Sequence, residues 1–187
     1  MEINIENLMK TAIAEMNNGQ HDEARKHFDL VVIHDSENIE APFFRAYCNC
    51  YCGTVSNLVH DANNFTNAFY RYVDNVKALN NPKAEKEKLN AAYVLLSKVC
   101  SMFQANAQKF FMSKVGREIG RANAEMHKNC SNKLKSVNAD LLPGNLKVMN
   151  DNEKVLGSNN KIMIALAIGL GVAVAIYIIG MICYFML

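Results

Sequence analysis

The chain has no tryptophan, only three prolines, and six cysteines of which no two stand in a Cys-x2-Cys pair. Scarce proline leaves long stretches open to helix, because proline is the residue that most strongly ends one. Zinc sites usually pair Cys-x2–4-Cys with a second ligand pair farther along. Here only Cys48 and Cys52 have workable spacing, with Cys50 between them on the other side of a helix. Cys100, Cys130 and Cys183 are scattered, so the cysteines read as small apolar packing residues and no metal is expected. The five histidines, His21, His27, His34, His60 and His127, form no HExxH or similar spacing. Gly116 and Gly120 lack the Gly-Lys-Ser/Thr ending of a phosphate loop, and no Gly-x-Ser-x-Gly elbow occurs. These absences leave no case for an enzyme and no expected cofactor.

Alternating apolar and polar runs bounded by hairpin turns are also missing, which argues against a sheet. One absence concerns charge. The 26 residues 162–187, "IMIALAIGLGVAVAIYIIGMICYFML", contain no charged residue, Asn, Gln or Pro. A bilayer core about 30 Å thick needs about 20 apolar residues in a helix, so a transmembrane helix is expected there. Lys154 and Lys161 flank it on the N-terminal side, and Lys and Arg favour the cytoplasmic flank. The expectation is a tail anchor with the N-terminal domain cytoplasmic and its thiols reduced. The Asn-rich, Trp-free composition fits an AT-rich bacterium, so an inner membrane is favoured over a eukaryotic organelle. Ala165, Gly169 and Ala173, like Ala167, Gly171 and Ala175, recur every four residues, which allows a homodimer through the span.

What is present is helical spacing nearly throughout. Ile5, Leu8, Met9, Ala12, Ile13 and Met16 share a face, and Gly19 suits a left-handed C-terminal cap. Ala24, Phe28, Val31 and Val32 follow on a second helix, and Pro42 sits in the opening turn of a third. "LMKTAIAEMNNGQHDEARKHFDLVVIHDSEN", with Ala12, Ala24, Phe28 and Val31 at the small, small, aromatic and small-to-medium positions, resembles one tetratricopeptide repeat. Glu15, Thr11 and Ser36 stand where the family has an aromatic, a leucine and a proline. A second unit from Ile39 matches through its first helix, with Ala46 at the small position. The resemblance implies a concave protein-binding groove lined by Met9, Ile13, Met16, Phe43, Tyr47 and Tyr51, filled by a partner helix or by the protein's own later helices. The Lys and Asn residues of the family's carboxylate clamp are missing there.

Leu58, Ala62, Phe65, Phe69, Tyr72 and Val76 mark a further helix, broken at Asn80-Asn81-Pro82. Beyond it, helical spacing continues for more than 50 residues from Ala84 to Val137. The apolar stripe through Leu89, Leu96 and Phe103 gives way near Phe110-Phe111-Met112 to one through Phe111, Val115, Ile119, Met126 and Cys130. This predicts a long helix kinked or broken at that point, or one whose partner changes.

Charge is divided as well. Residues 1–76 carry 5 Lys/Arg against 11 Asp/Glu, and residues 77–135 carry 12 against 4. Lys114, Arg117, Arg121, Lys128 and Lys135 share one helical face opposite Ile119 and Met126, a candidate face for anionic lipid. The alternatives are a solvated face or pairing with the acidic N-terminal part. Aromatics do not interleave with these basic residues, so nucleic acid is not expected.

The expected fold class is all-α: tetratricopeptide-like helices (1–55), a bundle with a long amphipathic basic helix (56–137), a juxtamembrane linker (138–161) and a transmembrane helix (162–187). The expected function is a membrane-anchored adaptor binding an unidentified protein partner. The alternative is a lipid-surface-binding protein that remodels or permeabilises the bilayer.

Overall fold

The computed structural model describes residues 4–137, which form helices and no strand: α1 (Ile5–Asn17), α2 (His21–His34), α3 (Ala41–Cys52), a 3-10 turn (Val55–Asn57), α4 (Leu58–Ala78), α5 (Pro82–Lys109) and α6 (Lys114–Val137). The all-α class is observed. The chain divides into two units, residues 1–141 and 142–187. The expected linker 138–161 and span 162–187 lie outside the described residues, and no described helix is long and apolar enough to cross a membrane.

Local chemistry sets the helix boundaries. The Asn4 carboxamide accepts from the Asn7 N–H at 2.9 Å and opens α1. Gly19, at φ +79°, closes it in the left-handed region that glycine enters without strain. Asn38 Oδ1 accepts from the N–H groups of Glu40 and Ala41, and Pro42 follows in the first turn of α3. Asn81 caps α5 by accepting from the Ala84 N–H at 3.2 Å, with Pro82 next to it. Ser113 Oγ accepts from the Gly116 N–H at 3.0 Å and opens α6.

Successive helices pack on each other from α1 to α4, and α4 is covered on its other side by α5 and α6. Four helices each contribute an apolar stripe to a common core: Ala24, Phe28 and Val31 from α2, Phe65, Phe69 and Val76 from α4, Leu89, Leu96 and Phe103 from α5, Ile119, Met126 and Cys130 from α6. Burying such side chains is worth roughly 1.5–3 kcal/mol each. Polar links cross the packed pairs. His27 Nδ1 meets Glu15 at 2.6 Å between α2 and α1, and the Tyr70 hydroxyl donates to the Asn129 carbonyl at 3.1 Å between α4 and α6. Lys88–Glu40 and Lys133–Asp74 join the basic half to the acidic half.

The break expected near residues 110–112 is observed: α5 and α6 are separate helices, joined by the turn where the chain brings α6 back onto α5. Two details differ from expectation. Phe111 and Val115, placed on the inner stripe of α6 by their spacing, are exposed, because the stripe begins to face α5 only at Ile119. Also, Cys50 rather than Cys52 shares burial with Cys48. α3 lies between α2 and α4, so two of its faces are covered, whereas Cys52 is its last residue.

Beside the end of α3, the Asp61 carboxylate is buried with Oδ2 lacking a partner, and it fills the space above Gly53. Burial raises its pKa above the ordinary value of 3.8, with His60 acting weakly the other way. The folded chain therefore holds this proton to higher pH than the unfolded chain, and stability falls as pH rises from about 4 through the folded value. Asp61→Asn should raise the urea midpoint at pH 7, with the gain shrinking toward pH 4. A gain that did not change with pH would rule out the carboxylate as its source.

Candidate functional site

α3 and α4 diverge to form a groove of about 550 Å3. One wall is Pro42, Arg45, Ala46 and Asn49, successive turns of a single face of α3. The other is Asn64, Asn67, Ala68, Arg71 and Asn75, a stripe on the flank of α4 next to its buried face. Ala46 and Ala68 are the small residues that leave the groove open between the longer side chains. Its floor is Ile39, Phe43 and Tyr72, and the Phe43 and Tyr72 rings stack at 4.6 Å with 19° between planes. Ser36, Glu37 and Asn38 close one end.

The side chains of Asn49, Asn64, Asn67, Arg71 and Asn75 make no hydrogen bond or ion pair among the described residues. Arg45 is held to Asp29 of α2 at 3.2 Å. The groove thus combines an aromatic floor with a rim of available carboxamides and one unpaired guanidinium, in a volume typical of ligand sites.

Phe43 is the residue of the expected groove that reaches this floor, and it is only 1% exposed. Met16 and Tyr47 are buried, and Met9 and Ile13 pack half-buried against the core. Tyr51 lies on a different opening, a cleft of about 410 Å3 between α3 and α5 lined also by Tyr93, Val94, Ser97, Lys98 and Ser101. His21 stacks on Tyr51 at 4.2 Å and meets Tyr47 edge-on at 5.7 Å. Burial first, and the nearby Lys98 second, lower its pKa, so His21 is neutral at neutral pH.

Burial pushes the Cys48 and Cys100 thiols up to about 12 and raises those of Cys50 and Cys130. Such thiols stay protonated and unreactive at neutral pH. Cys50 S–H lies 3.4 Å from the Ala46 carbonyl and 3.8 Å from that of Asp61, tying α3 to α4. Lys114, Arg117, Arg121, Lys128 and Lys135 are all exposed on the outer face of α6. Lys114 reaches Glu118 at 3.7 Å, one helical turn along.

The Asn/Arg stripe of α4 was readable in the sequence only as residues every three or four positions beside the apolar face. A polar flank of that kind is usually solvated, and only the position of α3 makes it a wall. Comparison with known protein families, curated proteins and solved structures finds no match to this chain.

Proposed function

We propose that the chain is a membrane-held interaction protein that holds an extended peptide segment of a partner protein in the groove between α3, the last of its tetratricopeptide-like helices, and α4. The observation that carries this reading is the set of unengaged carboxamides above the Phe43–Tyr72 floor. Each carboxamide presents donors and an acceptor together, the complement of a peptide group. Asn64 to Asn75 spans about 16 Å along α4, the length of about five extended residues. The Arg71 fork favours a carboxylate, so the segment carries Asp, Glu or a C-terminus there. Panning the full chain in mild detergent against a displayed random-peptide library tests the reading. Enriched peptides should share an acidic position and bind an Asn67→Ala, Arg71→Ala variant about tenfold more weakly. Peptides that bind the variant equally well would refute the groove.

The membrane attachment rests on the uncharged run 162–187, with Lys154 and Lys161 favouring a cytoplasmic domain at a bacterial inner membrane. Alkaline carbonate should leave the full chain in the membrane pellet, and its release into the supernatant would remove the anchor. A second reading, a lipid-surface protein, is favoured by the solvent exposure of all five basic residues of the α6 face.

A further inference from the structure

The α5–α6 turn presents apolar side chains to solvent: Met112 is 83% exposed, Phe111 49% and Val115 40%. The turn is firmly held. The Phe110 carbonyl accepts from both the N–H and the hydroxyl of Ser113, at 2.9 and 2.7 Å, and Ser113 Oγ accepts from the Gly116 N–H. The exposed residues are therefore displayed by a fixed scaffold instead of folding back onto the core. Basic residues surround them from both helices: Lys109 from α5, with its ammonium 5.7 Å from the Phe110 ring centre, and Lys114 and Arg117 from α6. From Lys88 through Arg117 the chain contains no Asp or Glu.

We propose that this turn is a membrane-docking tip: Phe111 and Met112 enter the interface of an anionic bilayer while Lys109, Lys114 and Arg117 contact its headgroups. The inference rests on the lipid-surface reading of α6 and narrows it to one end of the helix. An apolar wedge inside a ring of cations matches the layering of a bilayer, acyl chains below negatively charged headgroups. In a tip-first pose, Arg121 and Lys128 lie about 10 and 21 Å further along α6 than Lys114, beyond headgroup contact. The tip is about 36 Å along α6 from Val137. The 24 residues 138–161 span at most about 80 Å, so the tip of an anchored chain can reach the same membrane.

Because the chain lacks tryptophan, Met112→Trp is a single reporter. The full chain would be reconstituted into phosphatidylcholine vesicles with and without phosphatidylglycerol. In the anionic vesicles the emission should shift to the blue and be quenched by brominated acyl chains. A control Ile33→Trp, at a site 71% exposed, should stay water-like. Changing Lys109, Lys114 and Arg117 to Gln together should weaken docking roughly a hundredfold, at about fivefold per charge. Changing Lys128 and Lys135 to Gln should alter it by less than about twofold, since they lie about 21 Å or more beyond Lys114 along α6, more than a Debye length away. All the substituted positions are solvent-facing, and circular dichroism confirms the fold of each variant. Water-like emission in anionic vesicles would overturn the proposal. So would a blue shift that persists in detergent without bromine quenching, which would mean that a second copy or residues 162–187 cover the tip. Equal losses from the two charge sets would mean that α6 lies flat on lipid, overturning the tip-first pose but not the lipid-surface reading. No effect from either set would overturn both.

Discussion

Replacing Gly116 with alanine should destabilise the bundle by about 3 kcal/mol or more, read as a fall in the urea midpoint of helix content for the full chain in mild detergent. Two effects oppose each other at this position. In a helix interior, alanine is favoured over glycine by about 1 kcal/mol, so propensity alone predicts a gain. Packing predicts the reverse. A Cβ at residue 116 would lie 2.0 Å from the carbonyl oxygen of Phe110, 2.4 Å from its carbon and 3.1 Å from the Ala107 carbonyl oxygen. These are backbone atoms, and the Phe110 carbonyl is fixed by its two hydrogen bonds from Ser113. Relief requires the start of α6 to move off the end of α5, which disturbs the packing of Phe103 and Ile119 beyond it. Gly120→Ala is the control, because its Cβ would meet only the Ala107 methyl at 3.7 Å, an ordinary contact. There the propensity gain should stand, leaving the variant neutral or up to about 1 kcal/mol more stable. If both variants melted together, the close approach at Gly116 would not exist.

The same turn shows how far the sequence could be read. The jump in apolar phase near Phe110 was visible, because periodicity is a local property. The chain reversal was not, since it depends on glycine at 116 touching a carbonyl six residues earlier, and spacing carries no record of such a contact. Phe111 and Val115 were misplaced for that reason: they continue the stripe in sequence while the partner helix begins further on. The main stripe of α4 was legible: Leu58, Ala62, Phe65, Phe69, Tyr72 and Val76 are all buried. Asp61 and Val73, buried beside it, were not, because α4 is covered on more than one side. Cys50, read with the other cysteines as a packing residue, is buried on the second covered face of α3, whereas Cys52 was misplaced because it ends the helix. The α3–α4 groove was hidden on the same principle. Asn64, Asn67, Arg71 and Asn75 look like any solvated flank until another helix stands opposite.

Phe43→Ala should cost about 3–5 kcal/mol, a fall of about 10 °C or more in the melting temperature. Phe43 is 1% exposed, stacks on Tyr72 and lies 5.6 and 5.8 Å, centre to centre, from Phe65 and Phe69. Its removal therefore leaves a cavity among rings that also stabilise each other through their edges and faces. Phe43→Leu keeps most of the volume and should cost less than about 1.5 kcal/mol. The contrast separates the two roles of this residue. If the groove holds a peptide mainly through its carboxamide rim, Phe43→Leu should bind nearly as well as the parent, whereas Arg71→Ala loses affinity at unchanged stability. If instead Phe43→Leu folds normally but binds as poorly as Arg71→Ala, the ring contacts the peptide directly. In that case the stacked Phe43–Tyr72 pair is a specificity pocket for an apolar side chain. A Phe43→Ala chain as stable as the parent would contradict the packing itself, because no rearrangement short of collapsing α3 onto α4 fills that volume. Such a collapse would close the groove and abolish binding while stability remained.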